Sequence, residues 1–285
     1  MRRYDFTVPE NARGTRLYAC ARRMLPQVPE YALRRAFQRR DVKVDGGRAD
    51  LSAMAEPGTQ VCVYTDEARE KTVPVVYQDE NVLVVVKPAG VSCEPDRKGG
   101  RTLTQLLREQ LGAGTAEPLL CHRLDNPTEG LLMLARTADV QKAAQDAFRR
   151  GEVHKAYECL VRGTPDPRHA VLEDWLIKDA LHARVRVLAR ETAGAKRIVT
   201  EYDVLQPGEC ARLRVRLHTG RTHQIRAHMA FIGHPILGDD QYGDRDFNRT
   251  MKARRLMLCA VSLSLETSGP LAYLNGRAFT AAPSF

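Results

Sequence analysis

Two short, uninterrupted apolar segments set the tightest limit on how this chain can fold. Residues 82–86 read Val-Leu-Val-Val-Val and are followed by the breaker Lys-Pro-Ala-Gly, while residues 131–135 read Leu-Leu-Met-Leu-Ala. Neither segment approaches the length needed to cross a bilayer. Short apolar runs bounded by Pro and Gly are typical of strands buried inside a sheet. With 285 residues, the chain is long enough to bury such a sheet without disulfides or metals.

The remaining patterns alternate between short strands and amphipathic helices. Val140, Ala144 and Phe148 recur at helical spacing, with Thr137 suited to cap the helix start and Gly151 suited to end it. Further helices are predicted at residues 102–111 and 223–231, and further strands at residues 157–161, 197–205 and 211–217. The sequence therefore predicts an α+β fold with a mainly antiparallel sheet.

The N-terminal part reads as a separate small module. Helices are predicted at residues 17–25 and 30–40, and in the second helix Leu33 and Phe37 can face a core while Arg35 and Arg39 face away. Residues 42–44 alternate as a strand before an Asp-Gly-Gly turn signal, and residues 61–64 form another strand. A charged stretch at 65–72 follows, so the predicted domains are residues 1–68 and 69–285.

Charge and cysteine usage narrow the class of protein. The net charge of +9 favours a polyanionic partner, and residues 1–65 carry twelve Lys or Arg against seven Asp or Glu. A solvated basic surface without a partner is the plain alternative. The seven cysteines show no Cys-x-x-Cys spacing, and no apolar run follows the N-terminal charges, which predicts a reduced, cytoplasmic protein without a signal peptide.

Polar residues interrupt apolar surroundings in three segments, at residues 122–134, 155–161 and 219–228. Together with residues 81–90 and 234–243, these segments resemble the five motifs of the RluA-type RNA pseudouridine synthases, in the same order and spacing. The resemblance covers about residues 75 to 283. It implies a catalytic domain with a mixed, mostly antiparallel sheet around a central cleft. Residues 16–64 resemble, less specifically, the small S-four-like (αL) RNA-binding domain.

Asp125 matches the catalytic aspartate of that family. Attack on a nucleoside needs an ionised carboxylate, and an apolar surrounding would raise the pKa of that carboxyl. A cationic partner is therefore required, and Arg226 matches the family's basic residue that would supply the ion pair. The plain alternative is an Asp–Arg pair that only holds two strands together.

Other site residues are implied with less detail. Tyr157 matches the family's aromatic residue, which could stack on an extruded uracil or take part in proton transfer. Arg123, two positions before Asp125, could reach the RNA beside the target. Substrate contacts are also expected from His122, Arg221 and His223. In the N-terminal module, RNA contacts are expected from Arg34, Arg35, Arg39, Arg40 and Lys43.

The resemblance implies isomerisation of uridine to pseudouridine in RNA without cofactor or metal, by a protein expected to be a monomer with no membrane partner. Ribosomal RNA is the first expectation, and transfer RNA stays open. Two alternatives remain: a non-catalytic RNA-binding or ribosome-assembly protein, and a metal-dependent hydrolase using His122, His223, His228 and His234. Glu129 and Cys259 depart from the family pattern, and Glu129 is expected to alter which RNA loop fits.

Overall fold

The structure, a computed structural model, describes residues 2–65, 72–95, 101–112, 116–179 and 184–285. The chain divides into two compact units, Met1–Thr72 and Val73–Phe285. The predicted boundary between residues 68 and 69 falls outside the described residues. No helix in the described ranges is long and apolar enough to cross a membrane.

The first unit is a small sheet covered by two helices. A short 3-10 turn lies at Glu10–Ala12, and the helices are α1 (Leu17–Met24) and α2 (Glu30–Gln38). The strands are β1 (Arg2–Thr7), β2 (Val42–Val44), β3 (Gly47–Ala49) and β4 (Gln60–Thr65). They pair in the order β1-β4-β2-β3. Strand β1 was not predicted, because it is an edge strand in which only Phe6 is buried.

The predicted faces of helix α2 are confirmed. Leu33 and Phe37 are fully enclosed in the core of the first unit, whereas Arg35 and Arg39 are exposed. The helix ends two residues earlier than predicted, since Arg40 takes a positive φ of 58°. The hairpin turn between β2 and β3 also forms as predicted, with Asp45 and Gly46 both at positive φ.

The second unit is built on a single large sheet. Its helices are α3 (Leu103–Leu111), α4 (Ala138–Arg150), α5 (Gln224–Phe231) and α6 (Arg245–Thr250), with a 3-10 segment at Gly269–Leu274. Its strands are β5 (Val75–Gln78), β6 (Val82–Lys87), β7 (Leu119–Leu120), β8 (Glu129–Ala135), β9 (Val153–Arg162), β10 (His169–Asp179), β11 (Arg184–Leu188), β12 (Lys196–Gln206), β13 (Cys210–Leu217), β14 (Leu258–Leu265) and β15 (Ala278–Thr280).

Eleven strands join this sheet in the described residues, in the main order β11-β10-β12-β13-β9-β14-β8-β6-β5. Strands β7 and β15 pair with β8 and β14. Among these strands, all pairings that the structure describes are antiparallel except that of β8 with β14, which is parallel. The predicted α+β fold with a mixed, mostly antiparallel sheet is thus confirmed. The apolar runs form β6 and β8, which lie side by side with nearly every residue buried.

The two helices predicted at residues 102–111 and after Thr137 are present, and each begins with a side-chain cap. The Thr102 side chain accepts from Gln105 N–H and the Gln105 side chain accepts from Thr102 N–H, which starts α3 with a capping box. Thr137 accepts from Val140 N–H at the start of α4, and Gly151 ends that helix in the left-handed conformation.

Glu129 lies inside the protein rather than on an RNA-facing surface. Its carboxylate pairs with Arg255 at 2.6 Å and accepts hydrogen bonds from the backbone and hydroxyl of Ser284. Burial opposes ionisation, but the bonds from Ser284 and Arg255 outweigh it and lower the pKa of Glu129. The expectation that Glu129 alters the fit of an RNA loop therefore has no support in its placement. Cys259 lies opposite Glu129 across the β8–β14 pair and is also buried.

The parallel pairing of β8 with β14 requires a glycine at position 130. A Cβ on Gly130, which has φ +115°, would lie 2.3 Å from the carbonyl oxygen and 2.4 Å from the nitrogen of Ala260. Gly151 also has a positive φ, of 78°, but a Cβ added there would meet no atom within 4 Å. Alanine at position 151 would therefore introduce backbone strain alone, whereas alanine at position 130 would introduce both backbone strain and steric overlap.

We expect Gly151→Ala to lower the free energy of unfolding by about 1–2 kcal/mol, the penalty of positive φ alone. Gly130→Ala should lower it by a further ~1–3 kcal/mol, because β8 and β14 must move apart. Urea unfolding followed by tryptophan fluorescence and circular dichroism measures both. Equal losses in the two variants would show that the β8–β14 pairing is not tightly packed.

Candidate active site

Asp125 lies in the loop between β7 and β8, and neighbouring backbone fixes this loop. The carbonyl of Asn126 accepts hydrogen bonds from Gly90 N–H at 2.8 Å and from the buried Lys87 ammonium at 3.1 Å. The Asn126 side chain donates to Ser92 Oγ. The Asp125 side chain keeps 19% of its surface exposed, so its carboxylate is held in place yet accessible.

Two groups from the start of helix α5 face the Asp125 carboxylate. Arg226 Nη1 lies 3.6 Å from Oδ2, and His223 Nε2 lies 3.9 Å from Oδ1. Helix α5 begins directly after His223, which takes a positive φ of 56°. The arginine expected beside Asp125 is therefore there, at ion-pair distance but beyond an ordinary hydrogen bond.

The main partner of Arg226 is Asp239, which the sequence did not single out. The guanidinium donates Nε–H to Oδ2 at 2.7 Å and Nη2–H to Oδ1 at 2.8 Å, a bidentate pair in which both side chains are buried. Asp239 Oδ1 also accepts from the backbone N–H groups of Gln241 and Tyr242. The available signal was the Gly-Asp-Asp-Gln-Tyr-Gly run at 238–243.

This arrangement leaves the Asp125 carboxylate near Arg226 but without a hydrogen bond from it. Burial raises the pKa of Asp239, but the bonds from Arg226 and the backbone N–H groups outweigh that effect and lower it. Arg226 thus donates its two short hydrogen bonds to Asp239 and interacts with Asp125 mainly through electrostatic attraction. A carboxylate that is stabilised without being hydrogen-bonded keeps its lone pairs available for attack or proton transfer.

His223 is held as a neutral donor beside Asp125. Its Nδ1 lies 2.9 Å from the Tyr242 hydroxyl, which also accepts from Val185 N–H. Because the Tyr242 oxygen already accepts a hydrogen bond from Val185, we assign its hydroxyl proton to a bond with Nδ1. The imidazole proton then lies on Nε2, towards Asp125. Burial is the main reason that the pKa of His223 is lowered, although the charge of Asp125 opposes this.

Tyr157 is 5% exposed on strand β9. Burial, and secondarily the Asp125 charge, raises the pKa of its phenol. A phenol with a raised pKa stays protonated at neutral pH, so it is poorly suited to accept the hydrogen from carbon 5 of uracil. Its place in the wall of the cleft that Asp125 also lines is compatible with the other expected role, an aromatic surface for the base.

These residues share one cleft. Its empty volume, including the part that opens to solvent, is about 650 Å³. Of the predicted residues, the cleft is lined by Arg123, Asp125, Tyr157, Arg221, His223 and Arg226. Lys155 lines the same cleft, although the sequence did not single it out as a site residue.

The rim of the cleft carries exposed arginines, whereas Tyr157 and Arg226 in its interior are buried. Arg123 is exposed and pairs with Glu94 through a 2.6 Å contact. Arg221 is exposed as well. His122, expected to bind substrate, does not line the cleft: its Nε2 accepts from Met133 N–H, and its ring packs on Phe148. The placement of His122 thus favours a structural role.

In the first unit, the expected RNA-binding residues are all exposed: Arg34, Arg35, Arg39, Arg40 and Lys43. Arg40 pairs with Asp50 at 3.1 Å, and Lys43 lies 5.8 Å from the Tyr64 ring centre. Arg35 and Arg39 make no ion pair with any residue that the structure describes.

The histidines considered as metal ligands have protein partners. His228 bonds Thr200 and Asp174, and His234 Nδ1 faces the carbonyl of Arg162. Among the described residues, a different group has metal-ligand spacing, formed by His169, Glu201 and Asp203. Arg216 already bonds both of its carboxylates at 2.7 Å, and the group does not line the cleft. This cluster is therefore a set of ion pairs between strands.

Comparison with known proteins agrees with the geometry. Residues 81–231 match the family model described as RNA pseudouridylate synthase. The chain is 33% identical over 214 residues to "tRNA pseudouridine synthase C" of Pectobacterium carotovorum, covering 67% of this chain and 54% of that relative. It is 30% identical over 262 residues to "Ribosomal large subunit pseudouridine synthase C" of Vibrio cholerae, covering 85% of this chain and 81% of that relative.

A solved structure is also similar. "Human RNA Pseudouridylate Synthase Domain Containing 4" matches with a TM-score of 0.60 and 26% identity, covering 74% of this chain and 88% of that chain. The family model covers the Asp125 loop, strand β9 and helix α5, the three segments that meet in the cleft. The chain therefore belongs to the RNA pseudouridylate synthase family.

Proposed function

We propose that this protein converts uridine to pseudouridine in structured RNA, with Asp125 as the catalytic carboxylate. The observation that carries the proposal is the position of Asp125 in an open cleft, 3.6 Å from a buried arginine whose directed bonds go elsewhere. The family match supports this reaction.

The reaction breaks the bond between ribose C1′ and uracil N1 and joins C1′ to carbon 5. The Asp125 carboxylate can begin it by bonding to C1′, by adding to the pyrimidine ring, or by removing a proton from the ribose. Uracil then turns over the Tyr157 ring and C5 bonds to C1′. In the same stage the bond from Asp125 to C1′ or to the ring breaks, or the ribose proton returns from Asp125. The C5 proton is then lost while N1 gains one. Atoms balance without an added reagent, as an isomerisation requires.

Tyr157, Arg226, His223 and the rim arginines have separate proposed roles. Tyr157 replaces the stacking that uracil loses on leaving the RNA helix, worth about 1–3 kcal/mol per base. Arg226 places a positive charge 3.6 Å from the Asp125 carboxylate, and His223 offers Nε2–H on its other side, 3.9 Å away. Arg123 and Arg221, on the rim, are suited to RNA phosphates, and binding would replace the exposed Glu94–Arg123 pair.

We propose ribosomal RNA of the large subunit as the first candidate target and transfer RNA as the second. Relatives named for each are similar to this chain. The net charge of +9 suits either polyanion. All seven cysteines are free, in agreement with the proposed cytoplasmic location. The alternative, a non-catalytic RNA-binding protein, is disfavoured because it would not need an accessible carboxylate beside a buried cation.

Asp125→Asn should bind RNA within about twofold of the original affinity but lose at least about 10³-fold in rate, because the neutral amide is a poor nucleophile and base. Tritium release from RNA labelled at uridine C5 measures turnover, and filter binding measures affinity. Turnover near the original rate would refute the assignment of Asp125.

Asp239 and Asp240 provide a matched pair around Arg226. Asp239→Asn should lower the free energy of unfolding by about 3 kcal/mol, since it weakens a buried bidentate pair, and should reduce the rate because Arg226 is then free to bond Asp125. Asp240 is 92% exposed at 3.6 Å from Arg226, so Asp240→Asn should leave both properties nearly unchanged. Equal effects in the two variants would contradict the positioning role of Asp239.

The N-terminal unit is expected to add phosphate contacts. Replacing Arg35 and Arg39 by Gln should make the slope of log K against log salt shallower by about 1.4–1.8, if both side chains reach phosphate. The saturated rate should stay the same. A control that replaces Arg3 and Arg13, which already pair with Asp5 and Glu10, should change the slope less. An unchanged slope in the first variant would remove this surface from the RNA interface.

A further inference from the structure

Lys155 is a cation in the cleft wall to which no role has yet been given. It lies on β9 two positions before Tyr157, and because strand side chains alternate, both point to the same face. Both line the cleft together with Asp125 and Arg226. Lys155 thus faces the same space that the uracil ring must occupy if it lies against Tyr157.

Lys155 has no acidic partner among the residues that the structure describes. Its ammonium lies 5.1 Å from the centre of the Phe148 ring, and the ring of His122 packs against that same phenylalanine. The other deeply placed cations are matched: Arg226 pairs with Asp239, and Lys87 donates to three backbone carbonyls. Lys155 is half-buried, and a partly desolvated cation without a counterion is costly, so a bound group that completes its environment would stabilise it.

The reaction generates a negative charge in this space. If Asp125 bonds to C1′ or removes a ribose proton, the C1′–N1 bond breaks and its electron pair leaves on N1, delocalised over the uracil O2 and O4 atoms. If Asp125 adds to the ring, the displaced ring electrons also reach a carbonyl oxygen. Each route therefore creates an anionic uracil oxygen before the bond to C5 forms and consumes that charge.

We propose that the Lys155 ammonium donates a hydrogen bond to a uracil carbonyl oxygen and stabilises the uracil anion during glycosidic cleavage. This inference rests on the proposed function. A fixed cation in a partly dehydrated wall stabilises charge that appears only in the transition state more than it stabilises bound substrate. Lys155 is thereby a catalytic residue that acts on the base, opposite in charge to Asp125.

The favoured partner of Lys155 is the uracil rather than an RNA phosphate, because Lys155 lies inside the cleft and not at its rim. Lys155 shares its wall with the buried Tyr157, and the surrounding protein lowers the pKa of the ammonium to about 8 by desolvation. Phosphates remain outside when a base is extruded, and the exposed Arg123 and Arg221 lie at the rim to meet them. A phosphate partner would show itself as lost affinity instead of lost rate.

The first test compares Lys155→Met with Lys155→Arg in single-turnover kinetics at saturating RNA. Lys155→Met should lower the rate by about 10²-fold with less than a twofold change in Kd, the usual loss when one donor to a developing anion is removed. Lys155→Arg keeps the charge and should recover most of the rate. Lys142→Met, on the exposed face of α4, is the control and should change neither quantity.

A folding defect is distinguished by thermal unfolding. Methionine removes an unpaired cation from a partly apolar setting, so Lys155→Met should unfold at the same temperature or higher. A lower rate together with a lower unfolding temperature would indicate a structural role and overturn the proposal. A weaker Kd with an unchanged saturated rate would assign Lys155 to a phosphate and overturn it as well.

The pH dependence of the rate is a further test, because a residue that only packs against its neighbours would not produce one. With a pKa of about 8, the protonated form is lost as pH rises, so the original protein should slow by about tenfold relative to Lys155→Arg between pH 7 and 9. The surrounding charged groups are Asp125, Arg123 and Arg226, while the raised pKa of Tyr157 and the lowered pKa of His122 and His223 keep those three neutral. Titration of the RNA cancels in the ratio. A constant ratio would overturn the proposal.

A better leaving group should reduce the need for Lys155. Fluorine at C5 of uracil stabilises the anion, so RNA containing 5-fluorouridine should show a smaller rate defect with Lys155→Met than uridine RNA does. Fluorine replaces the C5 proton, so the rearranged base cannot lose that proton and keeps fluorine at C5. Single-turnover formation of this fluorinated C-glycoside is followed by chromatography and mass spectrometry of digested RNA. Equal defects would refute anion stabilisation. If the original protein forms pseudouridine but Lys155→Met is fully active, only the role of Lys155 fails. If the original protein is inactive on ribosomal and transfer RNA alike, the proposed function fails with it.

Discussion

The bidentate pair between Arg226 and Asp239 is the interaction on which the site depends. Both side chains are buried, and breaking such a pair leaves an uncompensated charge, which costs about 3–5 kcal/mol. The pair joins the start of α5 to the turn after residue 237, and so fixes where the guanidinium faces Asp125. An arginine without this pair would be free to bond the Asp125 carboxylate directly, which would reduce the reactivity that we propose for it.

The turn that carries Asp239 depends on glycines for close backbone contact. A Cβ at Gly238 would lie 1.7 Å from the carbonyl oxygen of Arg255, and one at Gly243 would lie 2.1 Å from that of Asp239. Asn248 closes the turn by accepting from Gly238 N–H and donating to the Asp239 carbonyl. These backbone contacts hold the turn, and thereby Asp239, through interactions that do not involve Arg226.

The sequence predicted what local chemistry determines. Helix α4 follows from Thr137, Gly151 and apolar spacing, and β6 and β8 follow from unbroken apolar runs. Strands β10 and β11 were not predicted, because β10 alternates only partly and leaves Val171 exposed. The choice of Asp239 over Asp125 as the main partner of Arg226 could not be read from spacing, since it depends on how the turn approaches α5.

The cleft combines charges that a single pair could not supply. In the proposed reaction the Asp125 carboxylate acts first, and the uracil that leaves ribose C1′ becomes negative. A single cation placed between the Asp125 carboxylate and the uracil could not stabilise both negative charges without hydrogen-bonding the carboxylate. The structure separates the tasks: Arg226, fixed by Asp239, lies beside Asp125, and Lys155 lines the wall with Tyr157. For the proposed reaction, in which a carboxylate acts and a second anion forms in the same cavity, two separate cations are better suited than one, because each lies where its own anion is stabilised.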